Sequence, residues 1–364
     1  MKLSSKVLVI GGGPAGSTAA GLLASRGTEV MLLEKNPAFA KPCGGGISLS
    51  ALRETGTSAT VVKREVKTIR LISPGGKEIE IDISGSSLAI VERGDFDRTI
   101  RNQAKEHGSQ VLEGEFLGMH NRGRLYEVEA RIAGDRHTIT AEYVVAADGV
   151  NSRVRTALGI APVRSIITAS VRVSALQAES CEFWFGSSHA PRFYSWVFPA
   201  TKGISVGTGT HARGTILSLF ETFTKRTGIR VSEQKRVYRI PVWSGDLYNR
   251  GNVLFAGDAA GQVLPLTYEG LYYAMKSGEL AAASIGEGKV RNYKKRWKER
   301  FEKRFALMDR LRKYFLKDDA SVEKLIDLHG RQDVQEASLQ LWLRKDSQRE
   351  SLVSYMKFFG KLLR

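Results

Sequence analysis

The sequence predicts an α/β protein in which a parallel-sheet domain is interleaved with an antiparallel-sheet domain and is followed by a C-terminal helical region. Three observations lead to this fold class. An apolar strand, KVLVI, runs into a glycine-rich turn and a helix of small residues. Two further strands of the same apolar type occur much later in the chain. The last fifth of the chain has helical periodicity and its own charge balance.

The composition is that of a globular protein with more than one hydrophobic core. The chain has 364 residues, of which 42% are apolar. No apolar run approaches the ~20 residues that cross a bilayer, so we expect a soluble, cytoplasmic protein. The two cysteines, Cys43 and Cys181, are too few for a disulfide framework or a thiolate metal site, and no metal is expected.

The first glycine-rich turn predicts a dinucleotide site. GGGPAG, residues 11–16, fits G-x-G-x-x-G: the first glycine permits the turn, the second admits a pyrophosphate and the third brings the helix close to the strand. The next strand, TEVMLL, ends at Glu34, where a carboxylate can accept both ribose hydroxyls of an adenosine. The predicted contacts in this part of the chain are Gly11, Gly13, Ala15, Gly16 and Glu34.

Two later segments favour FAD over a nicotinamide cofactor. YVVAADGVNSRVR (143–155) is a buried strand ending in Asp148-Gly149, and NVLFAGDAAGQVLP (252–265) is another, ending in Gly257-Asp258. At a strand's carboxyl end, Asp258 can bind the ribityl hydroxyls. The helix after Pro265 begins at Gly270-Leu271, whose backbone N–H groups can stabilise the negative charge of a reduced flavin.

These motifs resemble the FAD-binding fold of aromatic hydroxylases. The segment VERGDFDRTI (91–100) also matches, and the resemblance implies that Arg93 contacts FAD. The alternative for Arg93 is a surface side chain before an amphipathic helix. A helix from about Asp95 to His107 and a strand ending near Leu117 are expected to return beside the adenosine, with Leu117 among the cofactor contacts.

A second resemblance is more specific. YSWVFP, followed by seven residues and then Gly207-Thr208-Gly209, resembles the Y-x-W-x-F-P…G-x-G signature of geranylgeranyl reductases. KPCGGG (41–46) resembles the same family's Cys-Gly loop, and the matches together span roughly residues 6–285. The resemblance implies a flavoenzyme that saturates isoprenoid double bonds of prenyl-lipid or prenyl-diphosphate substrates. It also places Cys43, Gly44 and Gly46 in contact with FAD.

Strand alternation gives the aromatic signature a physical role. Tyr194, Trp196 and Phe198 fall on one face of the strand, and the residues between them, with Phe193, fall on the other. A wall of rigid rings can hold a hydrocarbon by apolar area, at ~25 cal/mol per Å². The alternative is ordinary sheet core, and CEFWF (181–185) shares that alternative. The predicted substrate contacts are Tyr194, Trp196, Phe198, Gly207 and Gly209.

For the chemistry, we expect hydride transfer from reduced flavin to one alkene carbon and proton delivery to the other. The predicted catalytic residues are Cys43 and Tyr194, with an ordered water as a further proton source and an inert buried thiol as the other interpretation of Cys43. The sequence has one dinucleotide fingerprint, so a transient donor, NAD(P)H or ferredoxin, must supply the electrons. The rival activity is an FAD-dependent aromatic monooxygenase. The sequence departs from the geranylgeranyl reductase pattern at Tyr268, where a smaller residue is expected.

Charge is concentrated in the tail. The net charge is +17, and 21 basic against 11 acidic residues lie between 289 and 364. Basic amphipathic helices there could bind an anionic membrane at its inner face, or pack on the flavin domain with their charges in water. No recognition motif supports nucleic acid as a partner. The helical stripes are Tyr293, Trp297, Phe301, Phe305 and Met308, then Leu352, Tyr355, Phe359 and Leu362.

The predicted boundaries divide the cofactor domain into three parts of the chain. They are 1–60, 91–162 and 246–288 for FAD binding, 61–90 and 163–245 for the substrate sheet, and 289–364 for the basic helices.

Overall fold

The computed structural model describes residues 2–211, 215–343 and Phe358. The second aromatic stripe, from Leu352 to Leu362, therefore lies outside the described residues. The strands in the described part of the chain are β1 (Lys2–Ile10), β2 (Val30–Glu34), β3 (Gly46–Ser48), β4 (Val62–Val66), β5 (Thr68–Ile72), β6 (Glu78–Asp82), β7 (Leu88–Val91), β8 (Gln110–Arg122), β9 (Leu125–Ile132), β10 (Asp135–Ala146), β11 (Ser165–Val173), β12 (Cys181–Trp184), β13 (Ser195–Pro199), β14 (Ile204–Thr210), β15 (Arg236–Pro241), β16 (Asn249–Arg250) and β17 (Val253–Phe255).

The helices connect and cover these strands. They are α1 (Pro14–Ala24), α2 (Leu49–Glu54), α3 (Arg93–Glu106), α4 (Arg153–Ala157), α5 (Ile216–Thr227), α6 (Leu271–Gly286), α7 (Asn292–Trp297), α8 (Lys303–Phe315), α9 (Asp319–Leu328) and α10 (Gln332–Trp342). A π-helical turn, Lys298–Glu302, joins α7 to α8.

The first sheet builds the parallel layer that the sequence predicts. Strands β8, β2, β1, β10 and β17 lie side by side in parallel, while β9 pairs antiparallel with both β8 and β10. Val7–Ile10 are buried because both faces of this sheet are covered, which explains their continuous apolar run. Helices α1, α3 and α6 cover one face. The carboxyl ends of β1, β10 and β17 therefore meet at one edge, where doubly wound sheets bind ligands.

The second sheet has the strand order β15-β11-β14-β13-β12-β5-β6. All its pairs are antiparallel except β12 with β5, whose pairing is parallel. The predicted α/β class, with a parallel cofactor sheet and a largely antiparallel second sheet, is confirmed. Within 61–90, only β5 and β6 join this sheet, because β4 and β7 pair instead with β3 in a small sheet of three strands.

Two element boundaries differ from the sequence-based expectation. The strand expected to end near Leu117 continues to Arg122, because its distal half pairs antiparallel with β9, and Leu117 lies at a register shift. The strand expected across PRFYSWVFP begins only at Ser195. Arg192, at φ 59°, and a turn bonding Phe193 N to Ala190 O interrupt the extended backbone before it.

The C-terminal helices complete the core. Tyr293, Trp297, Phe301 and Phe305 are 0% exposed and Met308 is 3% exposed. Of the two interpretations of this stripe, packing against the parallel-sheet domain is therefore correct, and the stripe is not a membrane-facing surface. The charged side chains of α7 and α8 lie mostly at the surface, and some pair along the helix, as Lys313 does with Asp309 on α8. None of the helices in the described residues has the length and apolar character needed to cross a membrane.

Candidate active site

The turn after β1 leaves an open cradle at the start of α1. Gly11 has φ 102°, which favours glycine, and a Cβ added to Gly16 would lie 1.9 Å from the carbonyl oxygen of Gly11. Among the described residues, a Cβ added to Gly13 would meet nothing within 4 Å beyond its chain neighbours. In the described part of the chain, no side chain caps the amide groups of α1 at Gly13. The first turn of α1 therefore presents backbone N–H groups toward free space, which fits the pyrophosphate of a dinucleotide.

The carboxylate of Glu34 is fixed at the end of β2. Its Oε2 accepts the N–H of Gly12 at 2.6 Å, and its Oε1 accepts the N–H of Asn36 at 2.8 Å. Arg101, from α3, donates to the carbonyl oxygen of Gly12 at 3.1 Å and so buttresses the same turn. A carboxylate oxygen has a second lone pair, so both oxygens remain able to accept ribose hydroxyls.

A cavity opens in front of this cradle, between the two large sheets. Its volume is about 210 Å³, and it is lined from the first sheet, the 41–46 loop, the start of α6 and the second sheet. The predicted cofactor residues on its wall are Gly13, Ala15, Cys43, Gly44, Gly46, Arg93, Asp258, Gly270 and Leu271. Gly11, Gly16 and Glu34 lie behind it and shape the cradle.

Leu117 does not line this cavity. It is half-buried on β8, and its contact with the adenosine stays a prediction.

Charged side chains surround the cavity in pairs. Lys41 forms an ion pair with Asp258, and its Nζ lies 5.5 Å from the ring centre of Tyr238. Arg93 is bound by Asp97 through Nη2 at 2.7 Å and Nε at 3.1 Å. Burial opposes the charge of Arg93, yet Asp97, Cys43 and Asp258 raise its pKa. Asp258 thus has an oriented carboxylate at the end of β17, which fits a contact with ribityl hydroxyls.

Asp148 adds a buried carboxylate beside the cavity wall at Ala147 and Gly149. Its Oδ2 accepts the N–H of Val154 at 3.1 Å, while Oδ1 has no hydrogen-bond partner among the described residues. Burial raises the pKa of this carboxyl group. The unpartnered oxygen, the open cradle and the paired charges together fit bound FAD, which would be held along this wall.

The 41–46 loop brings Cys43 to the cavity. Its Sγ accepts the N–H of Gly45 at 3.3 Å, and the residue is partly exposed. The other cysteine, Cys181, is 1% exposed at the start of β12, and burial raises the pKa of its thiol. The two thiols therefore differ in environment, and Cys43 has the more exposed one.

The aromatic strand supplies the opposite wall. Tyr194, Trp196 and Phe198 all line the cavity. The expectation for Phe193 is wrong: it lines the same cavity and stacks on Tyr194, with ring centres 4.6 Å apart and planes 10° apart. Regular alternation starts only at Ser195, so it does not apply to Phe193. Ser195 faces away from the cavity and bonds to Thr208 at 2.7 Å.

Gly207 and Gly209 lie behind the aromatic wall. Neither lines the cavity, contrary to their predicted contact with substrate. A Cβ on Gly207 would lie 2.2 Å from the ring of Trp196, and one on Gly209 would lie 2.5 Å from the ring of Phe193. The G-x-G part of the signature therefore makes room for the rings of the neighbouring strand.

A second, almost wholly apolar cavity of about 120 Å³ adjoins the first. Phe183, Tyr194, Thr267 and Trp342 line both cavities. The aromatic segment 181–185 thus contributes Phe183 and Phe185 to the wall, and α8, α9 and α10 close the far side. The C-terminal helical region is therefore part of the candidate site.

Sequence reasoning missed several residues of the wall. Lys41 belongs to the quoted KPCGGG segment, and the signal available in the sequence was a positive charge in that loop; the structure places it beside Asp258. Tyr238 and Trp342 belong to no motif, and only the packing of β15 and α10 brings them to the cavity. Among the described residues, no group of acidic, histidine or cysteine side chains could hold a metal ion.

Comparisons with known proteins agree with this geometry. A model of the FAD binding domain family matches residues 4–285, and the chain belongs to that family of flavoproteins. The chain is 30% identical to a geranylgeranyl diphosphate reductase from Rhodobacter capsulatus over 93% of its own length and 91% of the relative's. It is 32% identical to digeranylgeranylglycerophospholipid reductase 2 from Methanothermobacter thermautotrophicus over 82% and 84%.

Within the flavoproteins, the chain belongs to the geranylgeranyl reductase family. A crystal structure of a geranylgeranyl bacteriochlorophyll reductase-like protein from Thermoplasma acidophilum superimposes with a TM-score of 0.85 at 25% identity. The match covers 100% of this chain and 98% of that one.

Proposed function

We propose that this protein uses FAD to saturate isoprenoid double bonds in a prenyl lipid or a prenyl diphosphate. The first cavity, in which we place the flavin, is called the flavin cavity below. The observation that carries this proposal is the apolar cavity beside it, which shares four lining residues with it. A hydrocarbon chain has no polar group to bind, so it is held by apolar area and guided by shape. In the apolar cavity, an aromatic acid, which is the substrate class of the rival monooxygenase, would bring a carboxylate to a lining with almost no polar surface.

FAD, when bound and reduced, supplies the hydride. The aromatic wall of Tyr194, Trp196 and Phe198 excludes water and holds one double bond at a near-attack distance. An isolated alkene gives no oxyanion to stabilise, so alignment and water exclusion are what the protein contributes.

We assign proton delivery to Cys43. Its sulfur accepts a backbone N–H, which leaves the thiol hydrogen free to face the cavity. The hydroxyl hydrogen of Tyr194, the other candidate, is committed to the carbonyl oxygen of Thr267 at 2.7 Å. Burial also raises the pKa of Tyr194, which makes its phenol a weaker acid.

Electrons are proposed to arrive from a transient donor, either NAD(P)H or a ferredoxin. The glycine-rich motif at residues 11–16 is the one dinucleotide fingerprint in the sequence, and the FAD pyrophosphate occupies it in this proposal. A net charge of +17 favours an acidic protein donor or an anionic nucleotide. Stopped-flow reduction of the bound flavin by each donor, at low and high salt, separates the two.

Peripheral binding to an anionic membrane is the remaining part of the proposal. Because the first aromatic stripe is buried, such binding rests on basic side chains and is electrostatic. Sedimentation with vesicles containing phosphatidylglycerol, at low salt and again in 0.5 M salt, tests this binding. The proposal is contradicted if the protein does not sediment with the vesicles at low salt, or if it still sediments with them at high salt.

One experiment tests the activity. The FAD-loaded protein is reduced anaerobically, and it is then mixed either with geranylgeranyl diphosphate or with oxygen and an aromatic acid. Flavin oxidation by the prenyl diphosphate, with a product two mass units heavier per turnover, supports the proposal. Oxygen-dependent hydroxylation of the aromatic acid, without prenyl reduction, would establish the monooxygenase instead.

A further inference from the structure

The segment between Pro265 and Gly270 has an unusual backbone. Leu266 has φ 77° and Tyr268 has φ 54°, two left-handed residues within three positions. Neither is glycine, and for bulky side chains this conformation is a genuine outlier that costs free energy. The N–H of Tyr268 bonds to Leu264 O at 2.9 Å, and the N–H of Leu264 bonds to Glu269 O at 3.0 Å. The loop is therefore closed by its own backbone hydrogen bonds.

The left-handed residues send their side chains to different cavities. Leu266 lines the apolar cavity, Tyr268 lines the flavin cavity, and Thr267 between them lines both. In ordinary extended backbone, residues two positions apart share one face, so Leu266 and Tyr268 would point to the same side and the loop would not fold back on Leu264. The strained loop thus forms the divider between the two cavities, and Tyr194 is bonded to it through Thr267 O.

Tyr268 is held against the aromatic wall. Its ring centre lies 4.5 Å from that of Phe193, at 62°, and 6.3 Å from that of Tyr194. Burial raises the pKa of its phenol to about 12. The residue immediately precedes Glu269 and Gly270, which also line the flavin cavity. The ring consequently occupies space that a substrate chain would otherwise enter beside the flavin.

We propose that Tyr268 is a specificity-determining residue: its ring sets how far a prenyl chain advances past the divider, and so which double bond meets the flavin. This inference rests on the proposed function of the same site. Strained backbone persists where the surroundings enforce it, and such residues cluster at ligand sites. A smaller side chain at position 268 would relieve crowding in the cavity, and glycine would also relieve the backbone.

The test compares Tyr268→Gly and Tyr268→Asn with Tyr268→Phe. Asparagine tolerates the left-handed backbone, so it provides a second small side chain if the glycine variant folds poorly. Each FAD-loaded protein is reduced with one equivalent of dithionite under anaerobic conditions and mixed with excess geranylgeranyl diphosphate. Each substrate molecule is then reduced at most once, and fragmentation mass spectrometry identifies the double bond that was saturated.

The wild-type protein and Tyr268→Phe are expected to give one predominant singly reduced isomer. Tyr268→Gly and Tyr268→Asn are expected to raise the combined share of the other isomers about threefold or more, because the ring no longer limits the register. An unchanged isomer ratio in both small-residue variants, with FAD retained, would overturn the inference. If the wild-type protein itself leaves the prenyl chain unreduced, the proposed function fails, and the inference falls with it.

Discussion

The phenol of Tyr194 donates a hydrogen bond to the carbonyl oxygen of Thr267 over 2.7 Å, which ties the aromatic strand to the loop that enters α6. Tyr194→Phe keeps the ring and removes this bond. We expect the free energy of unfolding to fall by about 1–2 kcal/mol, because the partly buried carbonyl loses its donor. Urea unfolding of the FAD-loaded protein measures it. Tyr314→Phe, on α8, is the control and should change it by less than about 0.5 kcal/mol.

The same variant separates the two candidate proton donors. Cys43→Ala should slow flavin oxidation by prenyl substrate by ~10² or more in a single turnover, since a positioned acid contributes at least that factor. Tyr194→Phe should have a much smaller effect. Cys43→Ser, which retains a hydroxyl donor, should fall between wild type and Cys43→Ala. An unchanged rate in Cys43→Ala would remove the thiol from the mechanism.

Replacing either of two glycines of the cradle by alanine should be harmful for different reasons: one change should weaken FAD binding, and the other should lower the stability of the FAD-free protein. In Gly13→Ala the new methyl group meets no atom of the described residues within 4 Å apart from its own chain neighbours, so the FAD-free protein should unfold at the wild-type temperature. Its affinity for FAD should fall about tenfold or more, because the methyl group occupies the space proposed for the pyrophosphate.

In Gly16→Ala the methyl group would lie 1.9 Å from Gly11 O, so α1 must shift and the FAD-free protein itself should be destabilised. Thermal unfolding without FAD and fluorescence titration with FAD distinguish the two variants. Equal FAD affinity in Gly13→Ala and wild type would place the pyrophosphate elsewhere.

The contribution of α10 to the site is also testable. Trp342 lines both cavities, and its ring centre lies 5.7 Å from that of Phe183. Trp342→Ala should raise KM for prenyl substrate about tenfold, since it removes apolar wall, while FAD affinity stays the same. Trp342→Phe should recover most of the loss. A proportional fall in FAD affinity would instead indicate a role in the fold.

The parts of this site that the sequence predicted are those carried by local chemistry. The turn at residues 11–16 and the strand ends before Asp148 and Asp258 need particular residue types at fixed spacing, and each lies where expected. Strand alternation predicts the wrong face for Phe193, because a left-handed residue, Arg192, breaks the alternation just before it. The signature predicts substrate contact for Gly207 and Gly209 because it shows only that a side chain is absent there. It does not show whether a substrate or an aromatic ring fills the space.

The far side of the apolar cavity could not be predicted from the sequence. It exists only because α8, α9 and α10 return to pack beside β5 and β12, a long-range arrangement that no motif encodes. The aromatic stripe of the same region is equally consistent with a membrane surface and with a buried core when only its periodicity is known. Burial distinguishes the two, and burial is a property of the fold.

A buried histidine behind the aromatic wall should make stability depend on pH. His189 is 0% exposed, and its Nδ1 lies 2.7 Å from Ser195 Oγ, on the side of β13 away from the cavity. Burial, with Arg226 nearby, lowers its pKa from 6.5 to about 4. The folded protein therefore keeps His189 neutral while the unfolded chain takes up a proton below about pH 6.5.

Stability should thus be full above pH 6.5 and decline as the pH falls toward 4, by up to about 3 kcal/mol from this residue. Burial also lowers the pKa values of His211 and His329, so the wild-type decline includes two further contributions of the same sign. His189→Asn keeps a group that can bond Ser195 but cannot titrate in this range. Urea unfolding at intervals from pH 4 to pH 7 should show a shallower decline in His189→Asn than in wild type. If the two profiles run parallel, His189 is not the group responsible.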